Sequence, residues 1–170
     1  VMGIVCWQEQ VKESVAQSAE KSVEKIIPES VDGNVAHEVV KTDVWQTLAL
    51  SVAGCEKCED LCQARTQPVF GVGNQNADVL LIGDAPNAEE DAQAAPFVNQ
   101  VGVLLGAMLK AIGINRQDIF ITNIVKCQTP KNRALLLEEA ENCQAYLQQQ
   151  IKLLQPKVIL VVGNHAAQAL

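Results

Sequence analysis

The chain has 170 residues, 48% of them hydrophobic, which is enough apolar material for one domain with a buried core. A net charge of −7 argues against a broadly basic surface, since phosphate neutralisation needs Lys and Arg. No apolar run is as long as a membrane span and no charged-then-apolar leader opens the chain, so a cytoplasmic monomer without membrane association is expected.

Residues 1–44 carry four Lys and eight acidic residues, and the first residue is Val, as in a fragment or a processed product. From Gln8 to Ile27, apolar Val11, Val15, Ala19, Val23 and Ile26 recur at helical spacing. Pro28 and then Asp32-Gly33-Asn34 are expected to end this stretch. Two readings stand for residues 1–44: a low-complexity tail or linker, and a helix that binds a protein partner.

The body, residues 45–170, carries nine Lys or Arg and twelve acidic residues, so a local basic patch is allowed. Val44–Val52 reads as a short helix. Ala77–Gly83 is a continuous apolar run closed by Gly, the pattern of a buried strand. Val101–Ile112 is apolar at helical spacing and stops at Gly113. Asp118–Ile124 reads as a second strand, Leu135–Leu154 as a long helix ending before Pro156, and Lys157–Gly163 as a third strand. Asn164 is expected to cap a final helix. Alternating strands and helices predict a parallel sheet covered on both faces. Ligands bind such sheets beyond the carboxyl ends of the strands, where Asp84, Asn123 and Asn164 fall.

Six cysteines in a chain of this kind point to metal or cluster ligation before disulfides. Cys55 and Cys58 form a C-x2-C pair, Cys127 follows the second strand, and Cys143 lies on the long helix. Thiolates suit zinc and iron–sulfur clusters alike, and the spacing does not separate the two. Cys62 reads as a buried apolar thiol and Cys6 as incidental.

At the strand ends, Asp84 is either an acid beneath a sugar cation or a helix cap. Glu89, Glu90 and Asp91 read as a solvated helix start. Phe97, beside Pro96, is either a stacking platform or a core residue. Asn123 carries one acceptor and two donors, enough to read a pyrimidine edge, or is a turn former. Lys126, Lys131 and Arg133 surround Cys127, as phosphate contacts or as a solvated loop.

In order, the runs CEKCEDLCQARTQPVFGVG, GDAPNAEEDAQAAPFVN, ITNIVKCQTPKNR, ENCQAYL and PKVILVVG resemble the type-4 uracil-DNA glycosylases over residues 45–170. The resemblance implies a three-layer α/β/α fold with a central parallel sheet. It implies a [4Fe-4S] cluster on Cys55, Cys58, Cys127 and Cys143, and excision of uracil flipped out of DNA. It places Phe97 against the base and Asn123 on its edge. Gly83, Asp84 and Ala85 would line the pocket floor, with Asp84 where Glu is usual. Glu90 and Asn132 match positions linked to activity. The chain departs from the family at Asn87, Ala94–Ala95, Asn99 and Gln128-Thr129-Pro130. It also stops before an expected His-Pro-Ser-type motif, so the domain is expected to be incomplete at its C-terminus. Two alternatives stand beside an active glycosylase: a catalytically impaired DNA-binding or scaffold paralogue, and a zinc-stabilised ligand-binding domain.

Overall fold

The computed structural model describes residues 2–5 and 33–170, with side chains from residue 41 on. A five-stranded sheet runs in the order β1-β5-β3-β4-β2. Its strands are β1 (Met2–Val5), β2 (Val72–Gly73), β3 (Val79–Gly83), β4 (Phe120–Asn123) and β5 (Val158–Val162). The three expected strands are the inner ones, and they are parallel. The edge strands β1 and β2 are antiparallel to their neighbours, so the sheet is mixed at its rims. Both edge strands are short, and four residues and two residues carry little apolar pattern to read.

The inner strands are apolar throughout because both faces of the sheet are covered. Side chains alternate between the faces. Leu80, Ile82 and Phe120 join the core built with Trp45, Leu147 and Cys143, whereas Leu81 and Ile121 join the core built with Leu105 and Leu109. The first face is covered by α1 (Gly33–Ala53) and α5 (Leu137–Leu154), which also touch each other, and the second by α4 (Gln100–Ala111). Trp45 fixes α1, packing edge-on against Phe70 at 5.8 Å between ring centroids and tilted against Phe120 at 5.1 Å.

Helix α1 crosses the expected boundary at residue 45 without a break. Its buried Trp45, Leu48 and Val52 form one stripe, and the helix they anchor runs back to Gly33. Gly33 and Asn34 lie in the first turn of α1. The expected helix over residues 8–27 lies outside the described residues. Further on come α2 (Glu59–Ala64), α3 (Ala88–Gln93) and α6 (Asn164–Ala169). The cap of α6 is Gly163 and not Asn164, which is the first helical residue. Among the described residues, no helix is long and apolar enough to cross a membrane.

Candidate active site and cysteine centre

The register of the parallel strands builds the site. Gly83 pairs with Asn123 on one side and Val162 on the other, so three carboxyl-terminal strand ends lie in one row. On Gly83 a Cβ would stand 2.5 Å from Asn123 Oδ1 and 2.9 Å from the tip of the Phe97 ring. The bare Cα is what lets these two side chains converge. Asn123 is 2% exposed, and its Nδ2 is buried with no hydrogen-bond partner. A buried donor left unpaired is costly unless an acceptor from outside fills the place. Ala85 is half-buried and packs against the first core.

Phe97 adopts a left-handed backbone, φ 53°, which is unusual for an aromatic residue. Its surroundings hold it there. Glu90 Oε1 accepts the Phe97 N–H at 2.5 Å, and Arg116 Nη2 donates to Pro96 O at 2.8 Å. At Gly102 a Cβ would stand 1.7 Å from Phe97 O, so the first turn of α4 reaches this loop only through a glycine. Burial lowers the Arg116 guanidinium from its usual range, and the Glu90 carboxylate pulls the other way.

Glu90 was expected on a solvated helix start and among the catalytic groups. It is 6% exposed, and its second oxygen accepts the Asn87 N–H at 2.9 Å. Both oxygens are thus committed to backbone N–H groups. Asp91, also expected in solvent, is 2% exposed and accepts the Thr66 N–H at 2.7 Å. Asn87 stands where the family has glycine, yet its φ is −90° and its side chain caps α3 by accepting from the N–H groups of Glu89 and Glu90. Asn99 caps α4 in the same manner. Neither position needs a glycine.

Asp84 follows Gly83 at the end of β3. Its Oδ1 accepts the Ala166 N–H at 2.7 Å, and its Oδ2 stands 3.2 Å from His165 Nδ1. It thus ties the end of β3 to the start of α6, and it stays about one-third exposed.

The cysteines occupy the opposite face of the sheet. Cys55, Cys58, Cys62, Cys127 and Cys143 line one cavity with Arg65, Glu139 and Asn142. All five are free thiols. Among the described residues, no three His, Cys, Asp or Glu side chains converge closely enough to hold a single metal ion. Burial, against the pull of the Arg65 hydrogen bond, pushes the Cys127 thiol up to about 11. Burial also raises Cys58 and Cys143, where each thiol feels its neighbours as like charges.

The expected basic loop divides. Lys126 is 1% exposed, and its Nζ donates to Thr122 Oγ1, Asn123 O and Gln150 Oε1 at 2.6–2.7 Å. Burial pushes its ammonium down to about 7. A side chain so enclosed does not reach a phosphate; it braces the backbone of Asn123. Arg133 is spent on Glu139, with contacts of 3.0 and 2.5 Å. Lys131 is exposed. Asn132 is exposed, with φ 55°, and its Oδ1 accepts from Gln128 at 3.4 Å, so its recorded contacts do not bring it to the Gly83–Phe97–Asn123 group.

Sequence reasoning missed Gly102, Arg116 and Gly163, although an isolated Gly inside a helical pattern is a signal of close backbone approach. It also missed Arg65 and Asn142 around the cysteines.

Comparison with known proteins places residues 70–170 on the model of the uracil DNA glycosylase superfamily. The chain is similar to the type-4 uracil-DNA glycosylase of Archaeoglobus fulgidus, 44% identical over 117 residues, which cover 69% of this chain and 58% of that protein. The type-4 enzyme of Pyrobaculum aerophilum is 42% identical over 125 residues, covering 74% and 63%. That of Thermotoga maritima is 36% identical over 126 residues, covering 74% and 65%. The chain therefore spans about three-fifths of the length of these relatives.

Proposed function

The chain belongs to the uracil-DNA glycosylase superfamily, and on that premise we propose that it excises uracil from DNA by hydrolysing the N-glycosidic bond, as a base-excision repair enzyme. The observation that carries this reading is the buried, unpartnered Nδ2 of Asn123 beside the bare Cα of Gly83 and the ring of Phe97.

A base flipped out of the duplex stacks on Phe97 over Gly83. Asn123 Nδ2 donates to a uracil carbonyl, and its Oδ1 accepts from the ring N–H. Cytosine offers an acceptor in place of that N–H, so it would set a lone pair against Oδ1. Rejection then follows from an unpaired buried group.

Cleavage sends the C1′–N1 bond pair into the leaving base and leaves a cation-like sugar. Water oxygen then bonds to C1′, and the water proton ends on the base. Asp84, with Gly83 and Ala85 at the pocket floor, is proposed to hold that water. Its carboxylate keeps free lone pairs while Ala166 and His165 fix its direction. Phe97 is aimed by Glu90 and Arg116.

Cys55, Cys58, Cys127 and Cys143 are proposed to hold a [4Fe-4S] cluster. A cubane takes each thiolate on a different iron and so asks for ligands spread around a cavity, as these are. The cluster supplies fastening: it ties the segment around Cys55 to the Cys127 loop and to α5. The sheet stands between it and Phe97, which packs with the other core.

The test is release of uracil from a uracil-containing oligonucleotide, alongside iron and sulfide analysis of the purified protein. Release by the wild type and loss of most of it in both Phe97→Ala and Asn123→Ala support the reading. No release from cluster-loaded protein, or wild-type rates in both variants, overturns it.

A further inference from the structure

Two of the four proposed ligand sulfurs meet a side-chain hydrogen-bond donor. Arg65 Nη1 lies 2.8 Å from Cys127 Sγ, and Asn142 Nδ2 lies 3.7 Å from Cys58 Sγ. Cys62 differs. Its own Sγ sits 3.6 Å from Cys55 O, in the position of a donor, and no donor is recorded to it. Donors aimed at sulfur suit a thiolate; a thiol that donates suits an S–H. This donor shell sets the Cys127 and Cys58 sulfurs apart from that of Cys62.

Only one member of the shell carries a full charge. Arg65 is half-buried, and its Nη2 also donates to Cys55 O at 2.6 Å. One guanidinium thus bridges the C-x2-C segment and the Cys127 loop, two of the stretches a cluster would join. Lys126, the other buried cation nearby, directs its ammonium to Thr122, Asn123 and Gln150 instead.

We propose that Arg65 is a positioning residue for the cluster, its guanidinium serving as counter-charge and hydrogen-bond donor to the Cys127 thiolate, and that Cys62 is not a ligand. This rests on the reading of the cysteine centre as an iron–sulfur site. Four thiolates make such a site net negative, and a charge-assisted bond at one of them opposes loss of that ligand. A planar fork reaches Cys127 and Cys55 at once, whereas an ammonium reaches one of them.

The test uses the purified cluster-bearing protein and its Arg65→Gln, Arg65→Lys and Cys62→Ser variants. Iron release to a chelator is followed by loss of visible absorption, and the iron–thiolate stretching bands are recorded by resonance Raman. The expected result is release at least several-fold faster in Arg65→Gln, partial rescue in Arg65→Lys, an upward shift of one iron–thiolate stretch, and wild-type behaviour in Cys62→Ser. Asn142→Ala, which removes the neutral donor to Cys58, should have a smaller effect, and Arg65→Lys, with release faster than the wild type, stands in if Arg65→Gln does not fold. Equal release rates and unshifted bands in Arg65→Gln overturn the proposal, as does cluster loss in Cys62→Ser, or an effect of Asn142→Ala as large as that of Arg65→Gln. A wild-type protein without iron and sulfide instead overturns the cluster reading beneath it.

Discussion

His165 Nδ1 stands 3.2 Å from Asp84 Oδ2, while the other oxygen of Asp84 accepts the Ala166 N–H at 2.7 Å. One carboxylate thereby joins the end of β3 to the first turn of α6. The contact exists because Gly163 has no side chain: a Cβ there would stand 2.2 Å from Asp84 Oδ1, and its φ is 141°. Gly163→Ala therefore meets both a clash and a backbone conformation that L-residues avoid. It should lower stability by about 2–4 kcal/mol, read as a shift of the denaturation midpoint. His165→Ala keeps the backbone bond to Asp84 and should cost less than 1 kcal/mol, in the range of exposed pairs.

Gly83→Ala tests the convergence of Asn123 and Phe97. The added methyl would press on Asn123 Oδ1 and the Phe97 ring together. Uracil release should fall at least a hundredfold, and the oligonucleotide lacking uracil should bind as before, since the backbone contacts of DNA lie elsewhere. Retained release would show that nothing enters between those two side chains.

Glu90→Gln tests whether the Phe97 loop needs a carboxylate behind it. Glu90 faces two N–H donors, from Asn87 and Phe97. Glutamine offers one acceptor and turns an NH2 toward the other, leaving a buried donor unpaired at a cost of about 1–3 kcal/mol. If the left-handed Phe97 is part of base capture, the variant should lose uracil release by a rise in KM, with stability falling by that amount. A fall in kcat at unchanged KM would instead return Glu90 to the reacting atoms.

Much of this was legible from residue types, and the limits have physical causes. The inner strands announced themselves because burial on both faces forces continuous apolar runs. Gly83, Phe97 and Asn123 could be grouped only through motif order, since their meeting depends on a register that connects residues distant in sequence. Glu90 and Lys126 were misplaced for a common reason. A charged residue in a polar stretch reads as solvent-facing, and only the fold shows the backbone groups that take up its bonds. Edge strand β2, two residues long, has no periodicity to detect. Arg65 was invisible because nothing in a run of polar residues says which one turns toward sulfur.

Arg133 and Glu139 give an acid dependence. Burial of the Glu139 carboxyl would raise its pKa, but the hydrogen bonds from Arg133 and the Leu136 N–H outweigh it, and the net shift is downward. A lowered pKa stabilises the fold at pH above the unfolded carboxyl value of about 4.3. That stability is lost as pH falls through the lower folded value. Arg133→Ala should reduce stability at neutral pH and flatten the stability profile below about pH 4.3, checked by denaturant titrations across that range.

The two lysines of the Cys127 loop should separate cleanly in salt dependence. Each phosphate contact contributes close to one unit to the slope of log affinity against log salt concentration. Lys131 is exposed, so Lys131→Ala should weaken DNA binding and reduce that slope by about one. Lys126 spends its ammonium on Thr122, Asn123 and Gln150 inside the fold. Lys126→Met should leave the slope unchanged. It should lower stability by about 1–3 kcal/mol, because the acceptors around the lost ammonium stay buried. It should also slow uracil release, because the Asn123 backbone loses its brace. A slope that drops in Lys126→Met would mean that this side chain leaves its enclosure when DNA binds, and the bracing role would fall with it.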